Sequence, residues 1–235
     1  MRARAASGGR ARRRRARRPQ HEGGPALSDG PLLAVLDYGM GNRRSVQKAL
    51  EHAGARAPVT RERPTLRAAA GLVVPGVGAF PEGMARLASL GLDEEIRRAA
   101  DDGRPVLGIC LGMQLLFERS DEHRSTPGLG LIEGEVSQLE AGDLRLPHIG
   151  WSDVVPVRAC ELTAFLPEGG APFYHVHSLV ARPLNDGDVV ATTSYGETFA
   201  SIVARGNVHG VQFHPEKSAA DGLALLRAFV AMARR

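Results

Sequence analysis

Only two cysteines, Cys110 and Cys160, occur in 235 residues, too few for a disulfide framework. No run of 18 apolar residues is present, which excludes an ordinary membrane-spanning helix. The N-terminus lacks the apolar core of a secretory signal, and no internal repeat is visible. Together these absences place the expected compartment in the reducing cytoplasm. Acidic residues are scarce at the start of the chain: residues 1–30 hold nine arginines against Glu22 and Asp29. That segment carries +7, whereas residues 31–235 carry 21 basic and 24 acidic side chains, so the overall +4 comes from the tail alone. A basic arm can bind nucleic acid, and an Arg-rich, acid-poor leader can be a transit peptide. The tail has no aromatic residue and is built of Gly, Ala and Arg, so it buries too little to fold. It is expected to be a disordered extension arising from an upstream start site, with nucleic-acid binding not its role.

What remains, residues 31–235, is expected to be a single domain. With 43% hydrophobic and 24% charged residues overall, the chain can bury a full core. Leu32 to Leu36 is a short apolar run of the kind a buried parallel strand shows. The following turn, Gly39-Met40-Gly41-Asn42, resembles a dinucleotide fingerprint, but Arg44 occupies the third glycine position and the turn is read as a plain one. Val46, Ala49, Leu50 and Ala53 then mark an amphipathic helix stopped by Gly54. Val59, beside Pro58, belongs to an edge strand. Leu72 to Val74 is a buried strand running into Pro75-Gly76-Val77-Gly78, and Leu92, Ile96, Ala99 and Ala100 form a second helix closed by Gly103. Beyond Thr126 the pattern changes to short β-like runs at Val136, 154–157, 173–176, 189–193, 199–203 and 208–213. These are expected to add antiparallel strands to a parallel sheet, covered by a final helix over 221–232.

The chemistry centres on Gly108-Ile109-Cys110-Leu111-Gly112, between the apolar run 106–109 and a run, 113–117, that can begin a helix. Glycines flank a nucleophile at a sharp strand-to-helix turn because only small neighbours fit there. At a helix N-terminus the thiolate is favoured by the backbone N–H groups and the dipole, so the Cys110 pKa is expected to fall. A thiol nucleophile needs a base and the base an orienting group. His214-Pro215-Glu216, directly after the last apolar strand, supplies both. Pro215 favours an extended His214, and in an extended chain residues two apart point to one side, so Glu216 can hold the imidazole. The Gly76–Gly78 loop ends another strand, where glycines let backbone N–H groups approach a ligand as an oxyanion hole requires.

With these residues in place, the chain resembles the class I glutamine amidotransferases, and within them the glutaminase subunits of imidazole glycerol phosphate synthase. The resemblance covers about residues 32–235. The class shares the cysteine elbow and the His214, Glu216 pair. The narrower likeness rests on the segments 37–42 (DYGMGN), 75–80 (PGVGAF), 146–151 (LPHIGW) and 213–218 (FHPEKS). It implies a flavodoxin-like α/β fold with a mixed, mostly parallel sheet, and hydrolysis of glutamine through Cys110, His214 and Glu216 without cofactor or metal. It further implies oxyanion donors at the backbone of Val77 and Leu111, and substrate contacts from Gly76, Gln114, Glu122 and Ser178. A partner follows from the same likeness: the (β/α)8-barrel cyclase subunit in a heterodimer, faced by Asn42, Trp151 and Lys217. The sequence departs from the family pattern at Ser152, His175 and Leu179, which touches the rim of the substrate site. Rival readings from the residues alone are a cysteine peptidase or γ-glutamyl hydrolase, the glutaminase of an anthranilate or pyridoxal phosphate synthase, and an Arg-tailed binding protein with a relic site.

Overall fold

The computed structural model describes residues 30–235, so the reading of the Arg-rich tail lies outside the described residues. The elements follow in chain order: β1 (Leu33–Leu36), α1 (Arg43–His52), β2 (Val59–Thr60), α2 (Arg63–Ala68), β3 (Gly71–Gly76), α3 (Phe80–Leu90), α4 (Leu92–Asp101), β4 (Val106–Cys110) and α5 (Leu111–Gln114). The second half contains β5 (Phe117–Ser120), β6 (Thr126–Pro127), β7 (Ile132–Gln138), β8 (His148–Pro156), β9 (Ala171–His177), β10 (Leu179–Pro183), β11 (Val189–Tyr195), β12 (Glu197–Arg205), β13 (Val208–Val211) and α6 (Ala219–Met232). No described helix is long and apolar enough to cross a membrane.

Nine strands form the main sheet in the order β2-β1-β3-β4-β13-β12-β11-β8-β9. From β2 to β13 every pairing is parallel, and from β13 to β9 every pairing is antiparallel. Alternate residues of a strand face opposite sides, and the core divides accordingly. Ala34, Leu36, Leu72 and Val74 pack with α2, α3 and α4 through Leu66, Phe80, Leu87 and Ile96. Leu33, Val35, Val73, Leu107 and Ile109 pack on the other side with Val46 and Leu50 of α1 and with Leu225, Leu226 and Phe229 of α6. The result is a three-layer α/β/α sandwich whose parallel half is buried on both faces.

Several expectations hold and several need correction. Val59 lies in the edge strand β2, and α1 stops where Gly54 takes φ 97°. Antiparallel additions are present, but two of the expected runs depart from that pattern: β13 (208–211) is parallel to β4, pairing Val211 with Ile109, and Val136 lies in β7 of a separate sheet. The expected helix over 113–117 shrinks to four residues, 111–114, because the chain turns at Leu115 and Leu116 and Phe117 then pairs with Ile132. Those apolar residues are held by strand pairing and burial, which override their helix propensity. Also unanticipated are α2, α3 and a separate four-stranded sheet, β10-β7-β5-β6. Ser178 is the one residue between β9 of the first sheet and β10 of the second.

Candidate active site

Cys110 ends β4 with φ 53° and ψ −112°, and α5 starts at the next residue. A β-strand that must become a helix within one residue takes this sparsely populated backbone conformation, a strain typical of functional positions. The flanking glycines are dictated by space. A Cβ on Gly112 would lie 1.8 Å from the Val74 carbonyl oxygen, and one on Gly108 would lie 2.5 Å from the Gly112 oxygen. The neighbouring strand β3 brings Gly76 opposite Cys110 in register. Tyr38 donates its hydroxyl to the Pro75 carbonyl at 2.6 Å, fixing the start of the Gly76–Gly78 loop. Burial, and next the charge at Cys110, hold the Tyr38 phenol well above its ordinary pKa, so it remains a neutral donor.

His214 lies three residues beyond β13, and because β13 is parallel to β4 both His214 and Cys110 reach the same carboxyl edge of the sheet. Its backbone is extended, as Pro215 demands, but residues 215–217 form a 3-10 turn rather than continuing extended. The expected contact is nevertheless made: His214 Nδ1 donates to Glu216 Oε1 at 2.9 Å. Asn42, expected at a partner surface, reaches the same carboxylate oxygen with its Nδ2 at 3.5 Å. Ser218 locks the turn, donating its hydroxyl to the His214 carbonyl at 2.7 Å and accepting the Tyr174 N–H at 3.0 Å. Burial opposes charge on His214, yet hydrogen bonds to Cys110 and Glu216 outweigh it and raise its pKa to about 9. With Nδ1 committed to Glu216, the remaining ring nitrogen serves the sulfur. At neutral pH this imidazole therefore carries a proton it can deliver.

The residues expected at the substrate site fall in two places. Glu122 and Ser178 line one pocket of about 460 Å³ together with His123, Ser137, Gln138 and Leu179. Cys110 does not line it and is only 6% exposed. The Glu122 carboxylate accepts the Phe80 N–H at 2.6 Å. Gln114 is 4% exposed, and its Nε2 donates to the Leu179 carbonyl at 3.1 Å. Val77 and Trp151, in contrast, are 44% and 53% exposed. Trp151 packs edge-on against Tyr174, and the exposed Lys217 places its Nζ 5.7 Å from the centre of that same ring. One surface thus joins β8, β9 and the loop after His214.

Sequence reasoning missed Gln212, which is fully buried and places its Nε2 3.8 Å from Cys110 Sγ. A polar residue set between Val211 and Phe213, both apolar, was the available signal. Also missed was a cluster of buried histidines. His148 and His175 stack with centroids 4.9 Å apart, and His148 Nδ1 lies 3.2 Å from His177 Nε2. Ser152, one of the departures from the family pattern, bonds His148 Nε2 at 2.9 Å, and His175, another, is held by the Phe173 carbonyl and the Ser201 hydroxyl. Burial foremost, then the neighbouring imidazoles, lowers the pKa of His175 to about 3, and the same causes bring His177 to about 3. Burial also lowers His148.

These depressed values have a defined sign. In the unfolded chain each imidazole titrates near the ordinary value of about 6.5. Between that pH and about 3 the unfolded state holds protons that folded His175 and His177 refuse. Stability is therefore fully present above pH 6.5 and falls on acidification, by about 1.4 kcal/mol per pH unit for each such group. His175→Phe is expected to make the decline of the urea midpoint between pH 7 and pH 5 shallower. Identical slopes in variant and parent would refute the account.

Comparisons with known proteins point to one family. The family model described as glutamine amidotransferase class-I matches residues 34–232. The imidazole glycerol phosphate synthase subunit HisH of Moorella thermoacetica is 48% identical over 202 residues, covering 86% of this chain and 95% of that protein. The HisH subunit of Symbiobacterium thermophilum is 50% identical over 195 residues, covering 83% of this chain and 91% of that protein. Among solved structures, a glutamine amidotransferase superposes with a TM-score of 0.68 at 23% identity, covering 86% of this chain and 99% of that one. PurLQS from Thermotoga maritima gives 0.68 at 22% identity with the same coverage. At such identities the structural likeness speaks for the fold, and the sequence relatives carry the finer assignment. The chain belongs to the class-I glutamine amidotransferases, in the family of the imidazole glycerol phosphate synthase subunit HisH.

Proposed function

We propose that this chain hydrolyses glutamine at Cys110 and delivers the ammonia to the cyclase subunit of imidazole glycerol phosphate synthase, for histidine biosynthesis. The observation that carries the reading is the pair of contacts on His214: Glu216 holds Nδ1 at 2.9 Å, while the other side of the ring serves the sulfur. The Cys110 thiolate attacks the side-chain carboxamide of glutamine, giving a tetrahedral oxyanion. Backbone N–H groups at Val77 and at Leu111, the first residue of α5, stabilise that oxyanion, each donor contributing about 3–4 kcal/mol in comparable sites. His214 then gives its proton to the leaving nitrogen as the C–N bond breaks, and ammonia departs from a glutamyl thioester. A water molecule, deprotonated by the same imidazole, attacks the thioester to release glutamate and restore the thiolate. Gly76, Gln114, Glu122 and Ser178 bind the amino-acid portion in this reading, with Glu122 taking the ammonium.

Ammonia that escapes into neutral water is protonated and loses its nucleophilicity, so a docked synthase is part of the function. The relatives above are named as subunits of such a synthase. A docking face for a (β/α)8-barrel partner is supported by exposed Ile149 and Trp151 on β8, by Val77, and by Lys217 over Tyr174. Asn42 stands at its edge through Glu216. The test mixes the purified chain with the cyclase subunit and its phosphoribulosyl substrate and measures glutamate release. Hydrolysis is expected to require the partner. Peptide cleavage by the isolated chain would favour the peptidase reading instead. The compartment in this reading is the cytoplasm.

A further inference from the structure

Gln212 takes no part in the triad, yet it touches the sulfur. It lies between β13 and His214, its backbone N–H donates to the Ser201 carbonyl at 2.9 Å, and its side chain is sealed from solvent. Two buried amides then stand in line. Gln114 Nε2 is 3.1 Å from the Leu179 carbonyl and 3.2 Å from Gln212 Oε1, and Gln212 Nε2 is 3.8 Å from Cys110 Sγ. A side-chain amide can be placed either way round, so its orientation has to be argued from its partners. Here they leave one solution. A carbonyl oxygen only accepts, so the end of Gln114 facing Leu179 must be its NH2. The second hydrogen of that NH2 needs an acceptor, so the facing end of Gln212 must be oxygen. The NH2 of Gln212 is then left pointing at the sulfur.

The anchor of this line is itself held. His177 Nδ1 donates to the same Leu179 carbonyl at 3.0 Å, its Nε2 accepts from His148 Nδ1 at 3.2 Å, and His148 Nε2 accepts the Ser152 hydroxyl at 2.9 Å. Every link has one donor and one acceptor in this polarity. Reversing Gln212 would set its NH2 against that of Gln114, and a buried mismatch of that kind is costly. At the sulfur two neighbours compete. The Val176 carbonyl, 3.9 Å away, can accept from a thiol S–H, whereas Gln212 can donate to a thiolate.

We propose that Gln212 is a thiolate-stabilising residue of this site, donating its side-chain N–H to Cys110 Sγ, and that Gln114 is the positioning residue that fixes its orientation from the Leu179 carbonyl. The proposal rests on the reading of Cys110 as nucleophile and gives Gln114 a role beside substrate binding. The titratable groups acting on Cys110 are His214, with Glu216 behind it, and Tyr38 across the β3 loop. None of them supplies what Gln212 does: a neutral donor whose charge state is independent of pH.

The test follows the rate of Cys110 alkylation by iodoacetamide against pH, in the full chain carrying Cys160→Ser so that a single thiol is read. Gln212→Leu removes the donor and is expected to raise the midpoint by about one pH unit, as loss of a hydrogen bond to a charged form does. Gln212→Glu keeps the shape, sets a carboxylate against the sulfur and is expected to raise it further. Gln114→Leu, with Gln212 intact, is expected to raise it by a smaller amount because Gln212 is then free to turn over. A purely structural role would slow alkylation at every pH without moving the midpoint. An unmoved midpoint in the Gln212→Leu and Gln212→Glu variants overturns the proposal, and Gln212→Glu serves if Gln212→Leu does not fold. Alkylation needs neither glutamine nor a partner, so the outcomes separate. A shifted midpoint in a chain without glutaminase activity upholds Gln212 and refutes the proposed reaction, whereas an unmoved midpoint in an active glutaminase refutes only the role of Gln212.

Discussion

Cys110→Ala is expected to abolish glutamine-dependent turnover by the assembled synthase, a loss of roughly four to six orders of magnitude, as removal of a covalent nucleophile produces elsewhere. The same variant should leave the cyclase reaction intact when ammonium salts replace glutamine, because the acceptor chemistry belongs to the partner. The two nitrogen sources make the prediction specific. A misfolded or undocked subunit would also fail with glutamine, so complex formation by the variant is measured alongside, by gel filtration. The alanine should be accepted well: Cys110 is one of the buried residues packed with Val211, Phe213 and Ile109, and losing one sulfur there leaves only a small void. Retention of more than about one hundredth of the parent's glutamine-dependent rate would rule out covalent catalysis at this residue.

Gly112→Ala should be the most damaging single-methyl change in the elbow, although Gly112 bears no functional group. Its added Cβ would meet the Val74 carbonyl oxygen at 1.8 Å, with the carbonyl carbon at 2.8 Å. Both atoms belong to the backbone of β3, which is paired on either side to β1 and β4. No side chain can swing away, so either the short helix α5 must lift off the sheet or β3 must shift between its neighbours. Overpacking of this kind is expected to cost on the order of 3–5 kcal/mol, a large share of the roughly 5–15 kcal/mol that holds a domain together. A fall of about 10 °C in Tm is the expected measure. Gly169→Ala is the control. A Cβ there meets nothing within 4 Å, so that variant should lie within about 1 kcal/mol of the parent, with any effect arising from reduced freedom of the unfolded chain. Equal stability of the two variants would refute the packing argument.

Much of the site was legible because its parts are local in sequence. The elbow is five consecutive residues whose glycines answer a steric demand, and His214-Pro215-Glu216 places a base beside its orienting carboxylate within one tripeptide. The alternation of strands and helices in residues 32–110 was also readable, since parallel strands buried on both faces leave continuous apolar runs. The exposed face around Trp151 and Lys217 was anticipated from the family likeness, though neither residue type announces exposure by itself. What failed is equally local to explain. The run 113–117 has good helix formers, but Phe117 is taken by Ile132 in a second sheet, a pairing with no short-range signature. The contact of Asn42 with Glu216, across 174 positions of chain, has no local signal either. Gln114 was assigned to substrate binding by the family likeness, and its burial against Leu179 and Gln212 has no signature in the sequence.

The sequence by itself pointed to the nucleophile, its base, the carboxylate behind the base, and the alternation of strands and helices in the first half of the chain, because each follows from backbone sterics or from spacing along a single element. Only the tertiary structure decided which way the polar groups around the sulfur point. That polarity runs from the Leu179 carbonyl through Gln114 and Gln212 to Cys110, over residues 65, 98 and 102 positions apart. A hydrogen-bond direction is a property of atoms brought within about 3 Å of each other, and no spacing along the chain encodes it until the ends of β4 and β13, the helix α5 and the start of β10 have been brought together.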